Sequence, residues 1–407
     1  MVLTLTDLGT EILIHIFQFC NINDLCRLKQ TCVRFNNVIN YNFDVILSRP
    51  ALVTNQKHPY IQDRSAILLT SSTKWQISHN WRIGRYKEKA YLYERMNYIP
   101  WLNLEKGIIW ISRGPYIKAY KRLNNNKIDV RHHLHVLSGN NLSDISKFTK
   151  RGNCLVSGQC DGSLWVWTKQ GNKITTSTEK HQKEVVSVDI HNNIIVSGSR
   201  DCTFKLWNCR NNFTQISLIH TNHVSDRLWS TSFNENGSSL AIGTSGCNDR
   251  AALKIFDVHS LLETYSLGGE FQKGAGILDM KWDSDKVLLA CGYDSCVRKW
   301  DLRTGKCVQC WEDPFYATIY CLDIDKMCTL IIGTQTNGRV VLFDTRQTKY
   351  SQMYFMQTCR MRGRNSPAYS LSFDATQLFV ATDQHLNVLD FTDRRAKIHN
   401  YSYNIGK

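Results

Sequence analysis

The sequence has 407 residues, 42% of them hydrophobic, and a formal net charge of +15 at pH 7. That apolar content excludes a largely disordered chain, and no run reaches the ~18 consecutive apolar residues of a membrane-spanning helix. Fifteen cysteines, an odd number without a secretory leader, favour reduced thiols and therefore a cytoplasmic or nuclear location.

Residues 1–45 show helical periodicity with two apolar stripes. The first stripe consists of Leu8, Ile12, Ile16 and Phe19, and the second of Leu13, Phe17 and Cys20. Asp7 and Asp24 occupy positions suited to capping the first and second helices. A helix that is apolar on two sides must bury both sides, and about forty residues cannot supply that burial alone. The pattern therefore predicts a partner protein for this region.

The same region resembles an F-box. The family pattern appears in residues 8–13, 16–17, 24–25, Cys32 and 34–35, with Gly9 in place of the usual Pro and Phe35 in place of the usual Trp. The resemblance implies that a Skp-type adaptor binds here. The residues it assigns to that contact are Leu8, Glu11, Ile12, Leu13, Ile16, Phe17, Leu25, Leu28, Cys32 and Phe35. The alternative is a helical cap packed on the following domain.

Residues 46–82 form a predicted helical linker. Apolar residues keep helical spacing on both sides of Pro50 and Pro59, which break the helices. The aromatic residues of this stretch indicate that it packs against a neighbouring surface and is not a free tether.

From residue 83 to residue 407 the periodicity becomes that of β-strands. Seven strand-end anchors recur at intervals of 40 to 49 residues: Tyr120, Trp167, Trp207, Phe256, Trp300, Phe343 and Leu389. That interval matches the ~40–45-residue period of a four-stranded propeller blade. The predicted fold is therefore an all-β seven-bladed propeller preceded by a small all-α domain and a helical linker. Because a ring must leave no sheet edge unpaired, residues 86–94 are predicted to complete the last blade; residues 397–403 are the competing segment.

The best-formed repeat spans residues 194–208 and resembles a WD repeat. His181, Ser197, Asp201 and Trp207 stand where that family places a hydrogen-bonded tetrad. Buried His and Asp side chains need hydrogen-bond partners, which Ser and Trp provide, so the tetrad is predicted to be structural. A catalytic Ser-His-Asp role is rejected, and we expect no enzymatic activity.

The remaining clusters predict no cofactor and no metal site. Cys307 and Cys310 point to opposite faces of a strand, and His133 with His135 supplies only part of a zinc ligand set. No phosphate-binding glycine loop occurs. The basic run at residues 360–364 is interpreted as a solvated loop, so nucleic acid is not an expected partner.

Resemblance to WD-repeat proteins also implies a ligand face at one end of the channel. Family members contact ligands through the residue before the turn Asp and through the first residue of each innermost strand. The sequence has Arg200, Trp229, Asp279, Tyr293, Tyr320 and Tyr369 at such positions, together with Cys160 and Ser187. Phosphate-binding members use several arginines there, whereas Arg200 stands alone. The aromatic residues are therefore predicted to hold a protein segment; the alternative is that they only fill the channel mouth.

An F-box followed by WD repeats resembles the F-box/WD-repeat substrate receptors of cullin-RING ubiquitin ligases. Residues 80–85, 274–279, 291–294 and 297–304 resemble the dactylin type. The resemblance implies that the adaptor joins the chain to the cullin-RING core, while the propeller presents a protein substrate for ubiquitination by proximity. The alternative is a non-ligase WD-repeat scaffold in a ribonucleoprotein or other multiprotein assembly.

Overall fold

The chain folds into an N-terminal helical region followed by a ring of seven four-stranded antiparallel sheets. The structure is a computed structural model. It describes residues 4–20, 22–46, 51–93, 98–123, 126–139, 143–168, 174–177, 179–210, 215–249, 251–356, 366–399 and 401. The seven sheets and the preceding helices confirm the fold that the repeat spacing predicts.

The helical region contains, among the described residues, one 3-10 turn and six α-helices. They are the turn Leu5–Asp7, α1 Thr10–Phe17, α2 Ile22–Leu28, α3 Val33–Tyr41, α4 Phe43–Ile46, α5 Pro59–Gln62 and α6 Ser71–Ile83. Gly9 is the N-cap of α1 with a φ of −56°, a value that proline also adopts. The replacement of the family's Pro by Gly9 therefore keeps the backbone geometry. Asp7 does not cap α1; it closes the preceding turn by accepting a hydrogen bond from Thr4 N at 2.9 Å.

Helix α6 ends at Gly84, which adopts a left-handed conformation with a φ of +68°. A Cβ atom at this position would lie 2.4 Å from the backbone oxygen of His399, so only glycine fits. The Arg85 N–H closes the helix end by donating to Asn80 O at 2.8 Å. The linker therefore turns directly into the propeller.

Each sheet has four strands, which are given below in order from the strand nearest the axis of the ring to the outermost strand. The first sheet contains β2 Leu102–Leu104, β3 Ile108–Arg113, β4 Tyr116–Arg122 and β5 Ile128–Ser138. The second contains β6 Ile145–Arg151, β7 Cys154–Gln159, β8 Leu164–Thr168 and β9 Ile174–Thr176. The third contains β10 Val185–His191, β11 Ile194–Ser199, β12 Thr203–Arg210 and β13 Gln215–His223.

Three further sheets repeat the same order. The fourth contains β14 Leu228–Phe233, β15 Ser239–Thr244, β16 Leu253–Asp257 and β17 Glu263–Leu267. The fifth contains β18 Ile277–Ser284, β19 Val287–Gly292, β20 Cys296–Asp301 and β21 Lys306–Glu312. The sixth contains β22 Ile319–Ile324, β23 Thr329–Thr334, β24 Arg339–Asp344 and β25 Tyr350–Phe355.

The seventh sheet closes the ring with a strand from the N-terminal side of the propeller. Its strands are β26 Ser370–Phe373, β27 Gln377–Ala381 and β28 Leu386–Asp390, and β1 Lys87–Tyr91 forms its outer edge. β1 lies within the segment 86–94 and pairs antiparallel with β28. In the competing segment 397–403, Ile398 forms an isolated bridge with Arg85; residues 94, 400, 402 and 403 lie outside the described residues. Both ends of the propeller therefore meet at one edge.

All seven repeat anchors lie in the third strand from the axis. That strand is buried between neighbouring sheets, and Trp207 and Phe343 are 1% and 0% exposed. The innermost strands contact one another around the axis and line a central channel. Every sheet begins with its innermost strand, so these strands share one direction. The end at which they begin is called the channel mouth, and the opposite end the channel base.

Candidate functional site

The helical region has a core of its own, built by one side of α1. Leu13 and Phe17 pack with Leu25, Phe35 and Trp75, and the rings of Phe17 and Phe35 meet edge to face at a centroid distance of 5.3 Å. Leu13 and Leu25 are fully buried. These four predicted adaptor-binding residues, Leu13, Phe17, Leu25 and Phe35, therefore lie inside the domain. The structure replaces their predicted direct contact with a packing role.

The other apolar side of α1 faces solvent. Ile12 is 52% exposed, and Phe19, just beyond the helix, is 82% exposed. Leu8 and Ile16 lie half-buried in the same stripe. Phe19 is absent from the predicted contact residues although it continues the helical spacing of Leu8, Ile12 and Ile16. We call these four residues the outer stripe. Leu8 and Ile16 rest on the helical core and the Phe19 ring meets that of His15 at a centroid distance of 5.5 Å, while the exposed parts of Ile12 and Phe19 form an apolar surface.

The remaining predicted adaptor contacts flank this stripe or support it. Glu11 is exposed, whereas Leu28 and Cys32 are half-buried against the domain core. The Phe35 N–H donates to Cys32 Sγ at 3.4 Å, so Cys32 caps α3. Arg34 of α3 donates to two backbone oxygens in the segment before α1. These bonds fix the start of α1 against α3.

Helix α6 joins the helical domain to the propeller. Trp75 near its start is buried in the helical core, and Trp81 near its end is fully buried in the propeller. The Trp81 ring stacks on Phe391 with a centroid distance of 3.6 Å, and its carbonyl accepts a hydrogen bond from Tyr354 Oη at 2.7 Å. Because one helix is buried at both ends in different cores, the two domains are held as one body.

The tetrad of the third sheet forms one continuous hydrogen-bonded chain. Trp207 Nε1 donates to Ser197 Oγ at 2.8 Å, and Ser197 Oγ lies 2.8 Å from His181 Nε2. His181 Nδ1 lies 3.2 Å from Asp201 Oδ2. Burial would raise the pKa of Asp201, but hydrogen bonds from His181, Thr203 and a backbone N–H hold it well below its usual range. Ser197 is fully buried, so its hydroxyl does not reach a substrate and the tetrad holds strands together.

A β-bulge near the start of the innermost strands selects the side chains that reach the channel mouth. In the second to sixth sheets the pairing register shifts there by one residue, and the bulged residues are Ser146, Val186, Trp229, Leu278 and Tyr320. Tyr369 and Trp101 hold the equivalent positions directly before β26 and β2. Ser146 and Val186 are buried, whereas the other five are half-buried. We call these five, in five consecutive sheets, together with Tyr293, the mouth arc.

Ring contacts run along the mouth arc. The ring centroids of Trp229 and Tyr293 lie 6.4 Å apart, and those of Tyr320 and Tyr369 lie 5.4 Å apart, both in edge-to-face geometry. Burial raises the pKa of Tyr320, and the neighbouring Tyr293 and Tyr369 raise it further. The structure therefore brings the four predicted aromatic residues together on one surface.

Arg200 lies at one end of the mouth arc and is already paired. Its Cζ lies 4.9 Å from the centroid of the Trp229 ring, a cation–π distance, and its Nε lies 3.3 Å from Glu184 Oε2. Burial raises the pKa of Glu184, an effect that Arg200 opposes. The predicted site residue Arg200 is therefore at the mouth, with its charge balanced by Glu184.

Asp279 does not lie on the mouth surface, contrary to the prediction. The bulge presents Leu278 instead, and Asp279 is 8% exposed inside the channel. Its Oδ2 accepts a hydrogen bond from a backbone N–H of β22 at 3.1 Å, and its Oδ1 lies 3.7 Å from Lys147 Nζ. The same shift leaves Ser187 fully buried. Leu278 is missing from the predicted set because a bulge adds a residue without a side-chain signal, and Trp101 is missing because the prediction named no mouth residue in the first sheet.

The linker helix α5 covers the channel base. Tyr60 Oη donates to Asp323 Oδ1 at 2.8 Å, and Arg64 Nη1 donates to Asp323 Oδ2 at 2.6 Å. The Arg64 guanidinium also lies 3.9 Å above the Tyr60 ring. Burial lowers the pKa of Lys281 in the channel, but Tyr60, Asp323 and Asp279 outweigh it and raise the pKa above its ordinary value. The linker thus supplies partners for the charges at the base.

Within the described ranges, no group of three or more His, Cys, Asp or Glu side chains is arranged to hold a metal ion. His133 and His135 each pack on an aromatic ring of their own sheet. The neighbouring Cys310 thiol raises the pKa of Cys296 in the adjacent strand, and Cys307 Sγ donates to a backbone oxygen at 3.3 Å. These side chains are engaged in local packing.

Two further points concern the basic run and membrane-spanning helices. The basic run at residues 360–364 lies outside the described residues. No described helix is long and apolar enough to cross a membrane. The outer stripe of α1 and the mouth arc each gather several apolar side chains on one surface of the described chain.

Comparison with protein families matches the two domains separately. Residues 5–44 match the family described as F-box-like. Residues 131–168, 172–208 and 263–301 match the family described as WD domain, G-beta repeat. Each of the three WD matches runs from the outermost strand of one sheet to the third strand of the next. The repeat unit of the sequence is therefore offset from the blade by one strand.

Two relatives of this chain carry both the F-box and the WD repeat in their names. The chain is 32% identical to the F-box/WD repeat-containing protein 4 of Mus musculus over 388 residues, which cover 94% of this chain and 92% of the relative. It is 36% identical to the Homo sapiens protein of that name over 318 residues, covering 78% and 76%. A weaker similarity of 27% over 207 residues, to the human angio-associated migratory cell protein, covers 47% and 46%.

Proposed function

Because the chain belongs to the F-box/WD-repeat family, we propose that it is the substrate receptor of a Skp-cullin-F-box ubiquitin ligase. The F-box binds a Skp-type adaptor that joins it to the cullin-RING core, and the propeller binds the protein to be ubiquitinated. The outer stripe carries this proposal. Ile12 and Phe19 are exposed while Leu13 and Phe17 fill the domain core, so α1 offers an unburied apolar side to a partner.

In this role the receptor works by proximity and contributes no catalytic group. Helix α6 is buried in the F-box core through Trp75 and in the propeller through Trp81. A stiff joint restricts the distance between adaptor and substrate, which raises the effective concentration of substrate lysines near the conjugating enzyme. We place the complex in the cytoplasm or nucleus, where free thiols like those of the described cysteines persist.

The test is the substitution Ile12→Asp, assayed by binding of a purified Skp-type adaptor to the full chain. Ile12 is 52% exposed, so the charge leaves the domain core intact but must be desolvated in the adaptor interface. We expect a loss of at least about 2 kcal/mol, roughly thirty-fold in affinity, with an unchanged melting temperature.

Two further variants make the result interpretable. Leu68→Asp adds the same charge to an exposed linker residue, 66% exposed, and should leave adaptor binding unchanged. Leu13→Ala creates a cavity in the F-box core and should lower the stability of that domain by about 2–5 kcal/mol. Full adaptor binding by Ile12→Asp would refute the proposal. Recovery of RNA without adaptor from cells would instead favour the scaffold alternative, with binding that weakens steeply as salt rises.

A further inference from the structure

The mouth arc is a continuous apolar and aromatic surface at one side of the channel. Its bulge residues Trp229, Leu278 and Tyr320, with Tyr369 and Trp101 directly before their strands, occupy consecutive sheets from the fourth through the seventh to the first. Tyr293 adds a ring that is 43% exposed. A curved row of rings with this extent suits an extended segment more than a single side chain.

The charges around the arc disfavour a cationic ligand. The Arg200 guanidinium lies 4.9 Å from the Trp229 ring centroid, and Lys147 Nζ lies 4.2 Å from the Trp101 ring centroid. Both tryptophans of the arc therefore already carry a cation on a face. These ring faces are therefore not free for a lysine or arginine of a ligand.

The same cations offer little to a phosphate. Arg200 lies 3.3 Å from the Glu184 carboxylate, and Lys147 lies 3.7 Å from the Asp279 carboxylate. Each positive charge is thus neutralised within the chain, and a phosphate would have to displace a carboxylate. Together these pairs favour a neutral ligand.

The hydrogen-bonding groups of the arc are donors. Trp229 Nε1 is a buried donor without a partner among the described residues, whereas the tyrosines Tyr293, Tyr320 and Tyr369 are only partly buried. Indole N–H groups only donate, and phenol O–H groups donate readily. Glu184 Oε1 is an unpaired acceptor beside Arg200, suited to a backbone N–H at the end of the segment. The arc therefore suits a ligand that offers a carbonyl acceptor to Trp229 Nε1.

We propose that the mouth arc binds an unphosphorylated, extended, proline-rich segment of the substrate. Proline has no N–H, its ring packs on aromatic faces, and the polyproline II conformation displays its carbonyls to donors without an ordering cost. The inference rests on the proposed function, since it names the chemistry of the segment that the receptor recognises.

The test uses the full chain and labelled synthetic peptides, followed by fluorescence anisotropy. One peptide repeats Pro-Pro-Leu, a second carries Ala in place of each Pro, a third contains phosphoserines, and a fourth is lysine-rich. The proline peptide should show saturable binding, while the other three bind at least about tenfold more weakly.

Variants of the arc separate ring contacts from hydrogen bonds. The double variant Trp229→Ala with Tyr320→Ala should weaken proline-peptide binding at least about tenfold, with little change in melting temperature. Tyr369→Phe removes one hydroxyl and keeps the ring, so it should weaken binding about two- to tenfold. Tyr265→Ala is the matched control, because this tyrosine is 37% exposed on the outermost strand β17, away from the mouth, and it should change nothing.

Several outcomes would overturn the inference. They are tighter binding of the phosphoserine or lysine-rich peptide, equal binding of the alanine peptide, no binding of any peptide, and unchanged binding in the arc variants. Adaptor capture is measured on the same preparations. Capture of the adaptor without proline-peptide binding refutes this inference alone, whereas proline-peptide binding without adaptor capture refutes the proposed ligase role alone.

Discussion

The two ends of the propeller channel are built in opposite ways. At the base, the side chains of Tyr60 and Arg64 both bond to Asp323, so groups from the linker and the ring satisfy one another. At the mouth, Tyr320 and Tyr369 contact each other through their rings. The base is covered by paired polar side chains of the linker, and the mouth presents partly buried aromatic rings.

This difference indicates which end of the channel faces a ligand. Buried polar groups that serve only structure are normally satisfied within the chain, as the Asp323 carboxylate is at the base. At the mouth, Trp229 Nε1 is buried without a partner among the described residues, which is costly unless a ligand completes it. Because α5 covers the base, we expect a substrate segment to reach the channel at its mouth. The adaptor is expected at the outer stripe of the F-box.

The largest loss of stability is expected from the substitution Arg64→Ala at the channel base. The substitution removes the ion-pair partner of the Asp323 carboxylate. The Asp323 side chain is 2% exposed, so its charge would remain buried without that partner. We expect the free energy of unfolding to fall by about 3–5 kcal/mol, measured by urea denaturation.

Arg303→Ala is the control for this measurement, because Arg303 pairs with Asp301 at the surface and its side chain is 70% exposed. A change below about 1 kcal/mol is expected there. If Arg64→Ala lowered the free energy of unfolding as little as Arg303→Ala does, the ion pair at the base would not contribute to stability.

A smaller loss of stability is expected from Ser197→Ala in the tetrad. The change leaves Trp207 Nε1 and His181 Nε2 without their shared partner in a buried site. We expect a loss of about 1–3 kcal/mol with proline-peptide binding retained, whereas Ser217→Ala on the exposed outer strand β13 should be neutral. Loss of peptide binding in a folded Ser197→Ala protein would assign this blade to the ligand surface and break the division between scaffold and arc.

The smallest expected effect is the pH dependence of the free energy of unfolding that the Asp201 carboxylate causes. Its pKa is lower in the folded chain than in the unfolded chain, so ionised Asp201 stabilises the fold above about pH 4, the ordinary Asp value. That stabilisation is lost as pH falls from there through the lowered folded pKa. The difference in unfolding free energy between the natural chain and Asp201→Asn should therefore narrow between pH 5 and pH 3 (about the ordinary Asp range). A constant difference across this range would contradict the assignment.

The sequence alone determined the architecture because the blade pattern is local. Each repeat places an anchor such as Trp207 or Phe343 in a strand that must be buried between two sheets, so the anchors could be counted without knowing their partners. The tetrad residues His181 and Asp201 followed from the same repeat. In the F-box, helical spacing showed that α1 is apolar on two sides.

Which side of α1 faces inward was decided only by tertiary packing. Leu13 and Ile12 are neighbours of similar character, yet Leu13 is fully buried and Ile12 is 52% exposed. The two stripes have the same period, so nothing local distinguishes them. The difference arises because α3 and Trp75 of α6 cover one stripe, and these elements come from later in the chain.

The channel shows the same limit on sequence reasoning. A one-residue bulge places Leu278 at the mouth and Asp279 in the channel, because a bulge is a backbone irregularity that leaves the side-chain pattern unchanged. Arg64 donates a hydrogen bond to Asp323 although the two residues are 259 positions apart in the sequence. Periodicity and turn residues are set by short-range chemistry and can be read from the sequence. The choice of partner across the ring depends on which distant groups are buried together, and only the folded chain fixes that choice.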